Sequence, residues 1–266
     1  GTLEVVNLGS TFNSPIAVNS PGILEIDSTI PFATRWNYNK TLSGNGTFNK
    51  TGTGVFGIIN AMSMSGQINV QAGRLHNDNV TGNWSANTAN IDVASGAVLD
   101  LRANDMRANQ LTGSGEIWNS HDAGGNDDLF IGVTGGSSTF SGIIRGNDTQ
   151  GNDNPDAALV RLVKQGSGTQ TLTGVNTYGG STTISGGTLQ IAGSGSLGSG
   201  SYAAAITNNS AFHYSSSASQ TLSGGMSGSG TLLKDTSAST LTVSGAGVTY
   251  TGNSTVNAGT LKFTNT

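Results

Sequence analysis

The chain has 266 residues, 41 of them glycine, with 10% charged and 6% aromatic side chains and a formal net charge of −4. This is far from an ordinary enzyme composition, yet short alternating apolar runs such as "TLQI", "VLDL" and "NIDV" argue against disorder and for an all-β globular chain. Zero cysteines exclude a disulfide framework and a cysteine-ligated zinc site. No stretch approaches the roughly 20 apolar residues of a membrane span, so no membrane insertion is expected, and the 11 Lys and Arg are too scattered for a nucleic-acid partner.

In chain order, Gly-x-Leu-x-apolar strands are predicted at "GTLEV" (Gly1), "GILEI" (Gly22), "GTFNK" (Gly46), "GRLHN" (Gly73), "GAVLDL" (Gly96), "GEIWN" (Gly115), "GTLQI" (Gly187) and "GTLKF" (Gly259). A period of two points Leu3, Leu24, Phe48, Leu75, Leu99, Ile117, Leu189 and Leu261 inward. The intervals between the first six, from Gly1 to Gly115, are each close to one turn of a β-solenoid, whose turns bury their faces only against their neighbours. At roughly 22 residues per turn the chain makes about twelve turns, and with no linker to divide it, residues 1–266 read as one β-helix domain. The opening "GTLEVV" matches the later closing strands, which places residue 1 at the end of a repeat and implies excision from a longer polypeptide.

The segment "GVNTYGGSTTISGGTLQI" at 174–191 returns as "GAGVTYTGNSTVNAGTLKF" at 245–263, with Tyr178 on Tyr250 and Leu189 on Leu261. The interval reads as about three turns, with both tyrosines packed at a corner. Lysines support the period: Lys50 stands as far ahead of the inward Leu75 as Lys164 does of Leu189, and Lys234 follows "GTLL".

"STFSGIIRG" (Ser138 to Gly146) followed by "LVKQGSGTQTLTGVNTYGGSTTISGGTLQI" (Leu162 to Ile191) resembles the autotransporter-associated β-strand repeat of bacterial surface passengers. A fair copy lies at 232–263 and a weak one at 41–77. The resemblance implies a right-handed parallel β-helix at the bacterial cell surface or outside the cell, joined to neighbouring domains. An acidic insertion, "NDTQGNDNPDAALVR", replaces the short glycine turn usual between Gly146 and Leu162. By architecture and composition the chain also resembles the β-helical carbohydrate-binding modules of bacterial plant-polysaccharide hydrolases.

Equivalent positions of adjacent turns lie about 4.8 Å apart, so the residue after each inward leucine is expected to form an outward ladder: Glu4, Glu25, Asn49, His76, Asp100, Trp118. Arg74, Arg102 and Glu116 flank it. A polysaccharide could stack on Trp118 and hydrogen-bond to His76 and Asp100; an ordinary solvated face with incidental ion pairs would look the same. Trp36 and Tyr38 in "TRWNYN", Trp84 in "TGNWSAN" and Trp118 stand among polar residues, as exposed sugar platforms or as loop packing. One long loop gathers Trp118, His121, Asp122, Asp127 and Asp128, the last two within "GGNDDLF", which is similar to a calcium-binding nonapeptide. A single copy supplies too few of the six to eight oxygens Ca2+ takes, so Asp127 and Asp128 are candidate calcium ligands or plain surface residues. A second loop holds Asp148, Asp153 and Asp156. "GSGSLG" at 193–198 matches a dinucleotide fingerprint only by chance, since no helix follows it.

No convergent carboxylate pair of the kind glycoside hydrolysis needs is readable, so no enzyme is expected. Acids, indoles and long loops concentrate in residues 30–160. The first expectation is therefore a non-catalytic module binding a plant cell-wall polysaccharide, xylan or a similar β-linked glycan. The alternative is a stalk segment of an autotransporter adhesin, and the third reading is a β-helix lyase or hydrolase.

Overall fold

Short strands separated by glycine corners cannot pair with their own neighbours in sequence, so each pairs with its counterpart one turn away. The computed structural model describes residues 1–6, 13–31, 34, 36–77, 84–102, 104–120, 126–146, 159–245 and 247–264. It is a right-handed parallel β-helix of about 11 turns with no α-helix among those residues. Every strand pairing is parallel, and each turn carries three sides. The first side is one sheet running the length of the coil, with Leu24, Phe48, Ile68, Ile91 and Leu111 stacked in register. On the second side Trp36, Phe56, Leu75, Leu99, Ile117 and Ile144 form the equivalent column. Two shorter sheets make up the third side: Leu42 on Met62 in one, and Met106, Leu129, Leu162, Thr182, Ile206 and Met226 in the other. One continuous apolar core extends from Val5 to Val243.

Sharp corners make the three sides. Gly73 sits at φ +62°, and a Cβ there would lie 2.2 Å from the Gly54 carbonyl oxygen of the turn below, so only glycine fits. Inward polar side chains tie the corners. Tyr178 and Tyr202 both hydrogen-bond Thr182 at 2.8 Å, and Asn176 accepts from the Ile144 amide and donates to Gly174 O. Tyr250 donates to Gly230 O at 2.7 Å. Both repeat tyrosines are thus corner residues.

Two sequence expectations, the single ladder and the phase of the repeat, are corrected by this register. Leu24, Phe48, Leu75, Leu99, Ile117 and Leu189 are buried, and Leu3, 48% exposed, and Leu261, partly buried, pair in register with the buried Leu24 and Leu241, so both belong to the inward columns. The single outward ladder divides in two. Glu4, Glu25 and Asn49 stack on the first side and His76, Asp100 and Trp118 on the second. Gly-x-apolar strands follow two different corners of each turn, so the path from Phe48 to Leu75 runs one full turn to Ile68 and then one further side. The long-range echo has the same cause: Leu189 reaches Ser254 on the first side after three turns, through Phe212 and Leu232, whereas Leu261 pairs with Leu241 one side later. The turn count matches the expected twelve or so, although some turns are long, such as the one that carries Phe140 to its partner Leu172.

Candidate functional site

On the second side, adjacent rungs bring His76, Asp100 and Trp118 into register, the convergence the sequence suggests. Their environment differs from an open binding face. Asp100 is fully buried and works as an acceptor hub. Its Oδ2 lies 2.7 Å from Arg74 Nη2 and 2.6 Å from Ser120 Oγ, which donates to it; its Oδ1 accepts the Ser120 amide at 3.0 Å and the Arg102 amide at 3.1 Å. That last bond holds Arg102 at φ +47°, a left-handed conformation a non-glycine residue adopts only under compensation. Arg102 also donates to Ser120 O at 3.3 Å. His76 Nε2 lies 3.3 Å from Asn37 Oδ1, above Gly57, where a Cβ would strike the imidazole.

Trp118 lies outside the coil, yet is only 6% exposed. Two guanidinium groups cover its ring, Arg74 at 5.0 Å and Arg145 at 5.4 Å from the centroid. Its indole N–H donates to Glu116 Oε2 at 2.6 Å, and Glu116 Oε1 pairs with Arg145 at 2.6 Å. The platform face a sugar would need is occupied by the protein's own cations. Beside the cluster a groove of about 580 Å³ runs along the corner, with Arg74, Glu116 and Trp118 on its wall and Gly54, Gly73 and Gly115 among the residues lining it.

The other indoles lie deeper. Trp36 is 4% and Trp84 0% exposed. Trp36 packs edge-on against Phe56 at 5.0 Å, and Tyr38 stacks on Phe56 at 6.4 Å. In "TRWNYN" the polar neighbours hide an inward–outward alternation that points Trp36 and Tyr38 inward and Asn37 outward. The Tyr38 hydroxyl donates to Ser14 O at 2.6 Å, and burial pushes its pKa up to about 12. The expected exposed indoles are therefore buried packing groups.

His121 and Asp122, with Asp148, Asp153 and Asp156, lie outside the described residues. Asp127 accepts from Asn119 Nδ2 at 2.7 Å, and Asp128 pairs with Arg161 at 2.7 Å. Among the described residues no group of three or more His, Cys, Asp or Glu stands together as a metal set. Sequence reasoning missed Ser120 and Arg145, whose roles depend on Asp100 and Glu116, far from them in the chain and brought close only by the coil. It also missed where the lysines point. Lys50, Lys164 and Lys234 are all fully buried, and burial pulls the first two down to about 8. Ser120 donates directly to Asp100 across adjacent rungs, so this geometry braces one rung against the next.

Residues 162–191 and 234–263 match the family model described as Passenger-associated-transport-repeat. Each matched segment holds a buried lysine, Lys164 or Lys234, and later a corner glycine, Gly187 or Gly259. Over 278 residues, 100% of this chain, the sequence is 29% identical to the Adhesin BmaC autotransporter of Brucella suis biovar 1 (strain 1330). The chain spans 8% of that relative's length. No solved structure matches it. These similarities overturn the expectation of a carbohydrate-binding module for xylan, and the burial of all three tryptophans removes the platform it relied on. Two segments of the chain thus match a passenger-repeat model, and the whole chain is similar to part of an autotransporter adhesin.

Proposed function

We propose that residues 1–266 are a stretch of β-helical stalk in the surface-displayed passenger of a bacterial adhesin. The segment is joined covalently to neighbouring parts of a longer polypeptide and does no catalysis. The observation that carries this reading is the 29% identity to an autotransporter adhesin over the whole chain, with the passenger repeat recurring twice within it. The structure supports it through what the outward side chains do. On the first side they pair with each other along the coil, Asn49 with Asn69 at 2.9 Å and Asp92 with Thr112 at 2.7 Å. On the second side the charged groups and Trp118 satisfy one another across rungs. Such a surface keeps a rod rigid and soluble. The test is labelling of intact cells that produce the parent polypeptide, with antibody raised against residues 1–266. Labelling without permeabilisation, lost after external protease, is expected; labelling only after lysis would overturn the proposal.

A further inference from the structure

Three of the five lysines in the chain, Lys50, Lys164 and Lys234, are fully buried and point into the coil at the last inward position before a corner. Each reaches main-chain carbonyls of two successive turns. Lys50 Nζ donates to Thr51 O at 2.5 Å and Gly52 O at 2.9 Å on its own corner, and to Ala72 O at 3.1 Å one turn on. Lys164 Nζ repeats the pattern with Gln165 O and Gly166 O, then Gly186 O at 3.1 Å. Lys234 Nζ reaches Thr236 O and, across the turn, Ala258 O at 3.5 Å, with the Tyr214 ring 5.9 Å away. In all three cases the far carbonyl precedes a glycine in the left-handed region: Gly73 at φ +62°, Gly187 at +60° and Gly259 at +75°. At Gly259 a Cβ would sit 2.7 Å from Lys234 Nζ, so the glycine makes room for the ammonium as well as for the corner.

We propose that these lysines are corner locks, ammonium groups that fill cages of main-chain carbonyls and fasten each corner to the corner of the following turn. The chemistry fits. An ammonium has three donors and no acceptor, and each sharp corner turns a cluster of main-chain carbonyls towards it, buried acceptors that are costly to leave unmet. A pKa of about 8 leaves Lys50 and Lys164 protonated at neutral pH. Locks lie early, in the middle and late along the coil, and each should set the opening stability of its own rungs without reaching the others, as expected where turns couple only to neighbours. The inference concerns this chain's mechanics and does not depend on its place in an adhesin.

Two measurements test it. In the first, the folded protein is acetylated with acetic anhydride at pH 7 and each lysine's labelling rate is read by peptide mass spectrometry. Exposed Lys262 should react quickly, and Lys50, Lys164 and Lys234 at least about 100-fold more slowly, since they react only when a corner opens. Accessible amines of lowered pKa would react faster than Lys262, so rates within a few-fold of Lys262 would overturn the proposal. The second uses the absence of cysteine: Lys164→Cys is alkylated while unfolded, either to the aminoethyl thioether, which restores the ammonium, or to the neutral propyl thioether. Hydrogen exchange at Ser185, Gly186 and Thr188 should match the parent in the first form and be about tenfold faster or more in the second. Equal exchange in both forms would show that the site needs only packing and would overturn the proposal. If neither form refolds, the acetylation rates of the parent decide.

Discussion

Replacing Asp100 by alanine removes at once the partner of the Arg74 guanidinium, the acceptor for Ser120 Oγ and the acceptors for two amides. The groups left behind are buried, and a guanidinium stripped of its buried partner costs about 3 to 5 kcal/mol. Arg102 adds to this, since its left-handed backbone loses the bond that holds it. Asp100→Asn keeps one acceptor oxygen and should fall between parent and alanine. A solenoid opens locally, so the assay is native-state hydrogen exchange. At tenfold per 1.4 kcal/mol, the amides of Arg102 and Ser120 should exchange roughly 100- to 4,000-fold faster in Asp100→Ala. The control is Asp92→Ala on the first side, where one half-exposed bond to Thr112 is lost and about 1 kcal/mol is expected. If Asp100→Ala exchanges within a few-fold of the parent, the cluster is not a structural brace and the reasoning fails.

Other outcomes follow from the same register. Leu99→Ala should destabilise its rungs by about 2 to 5 kcal/mol, whereas Glu25→Ala, outward between the buried Leu24 and Ile26, should stay within about 0.5 kcal/mol; equal losses would contradict the inward columns. Burial raises the pKa of Tyr178, and of Tyr38 and Tyr202 to about 12 from 10.0. The unfolded chain therefore ionises first, and the stability these phenols contribute is present below pH 10 and lost as pH rises towards 12. An alkaline melting series flat across that window would refute the burial. Native gels containing xylan or mixed-linkage glucan should not retard the parent, and retardation abolished by Trp118→Ala would restore an indole platform.

The period of two and the Gly-x-Leu corners made the solenoid and most of its core legible, because inward leucines and corner glycines obey local rules. Phase was not legible. Leu75 and Phe48 share a motif but stand on different sides, and only the pairing of Phe48 with Ile68 reveals it. The convergence of His76, Asp100 and Trp118 was readable as register, but its meaning was not. Arg74 and Arg145 close over Trp118 from other rungs, and Ser120 folds back onto Asp100, so groups that look available in sequence are already engaged. Trp36 misled for a simpler reason. Asn37, between it and Tyr38, lies on the opposite face of a very short strand, in which alternation does not stand out.

The central claim, that the chain is a repeating scaffold in which whole turns are interchangeable units, can be tested by deletion in the parent polypeptide. Phe212 pairs with Leu232 one turn on, so removing residues 212–231 joins Ala211 to Leu232 in register, while removing 212–221 shifts the chain out of phase with all three sides. The account predicts that the whole-turn deletion keeps parent-like hydrogen-exchange protection in the rungs around the junction, and that the half-turn deletion loses it there. If the two deletions behave alike, whether both are tolerated or both are lost, the scaffold account is contradicted.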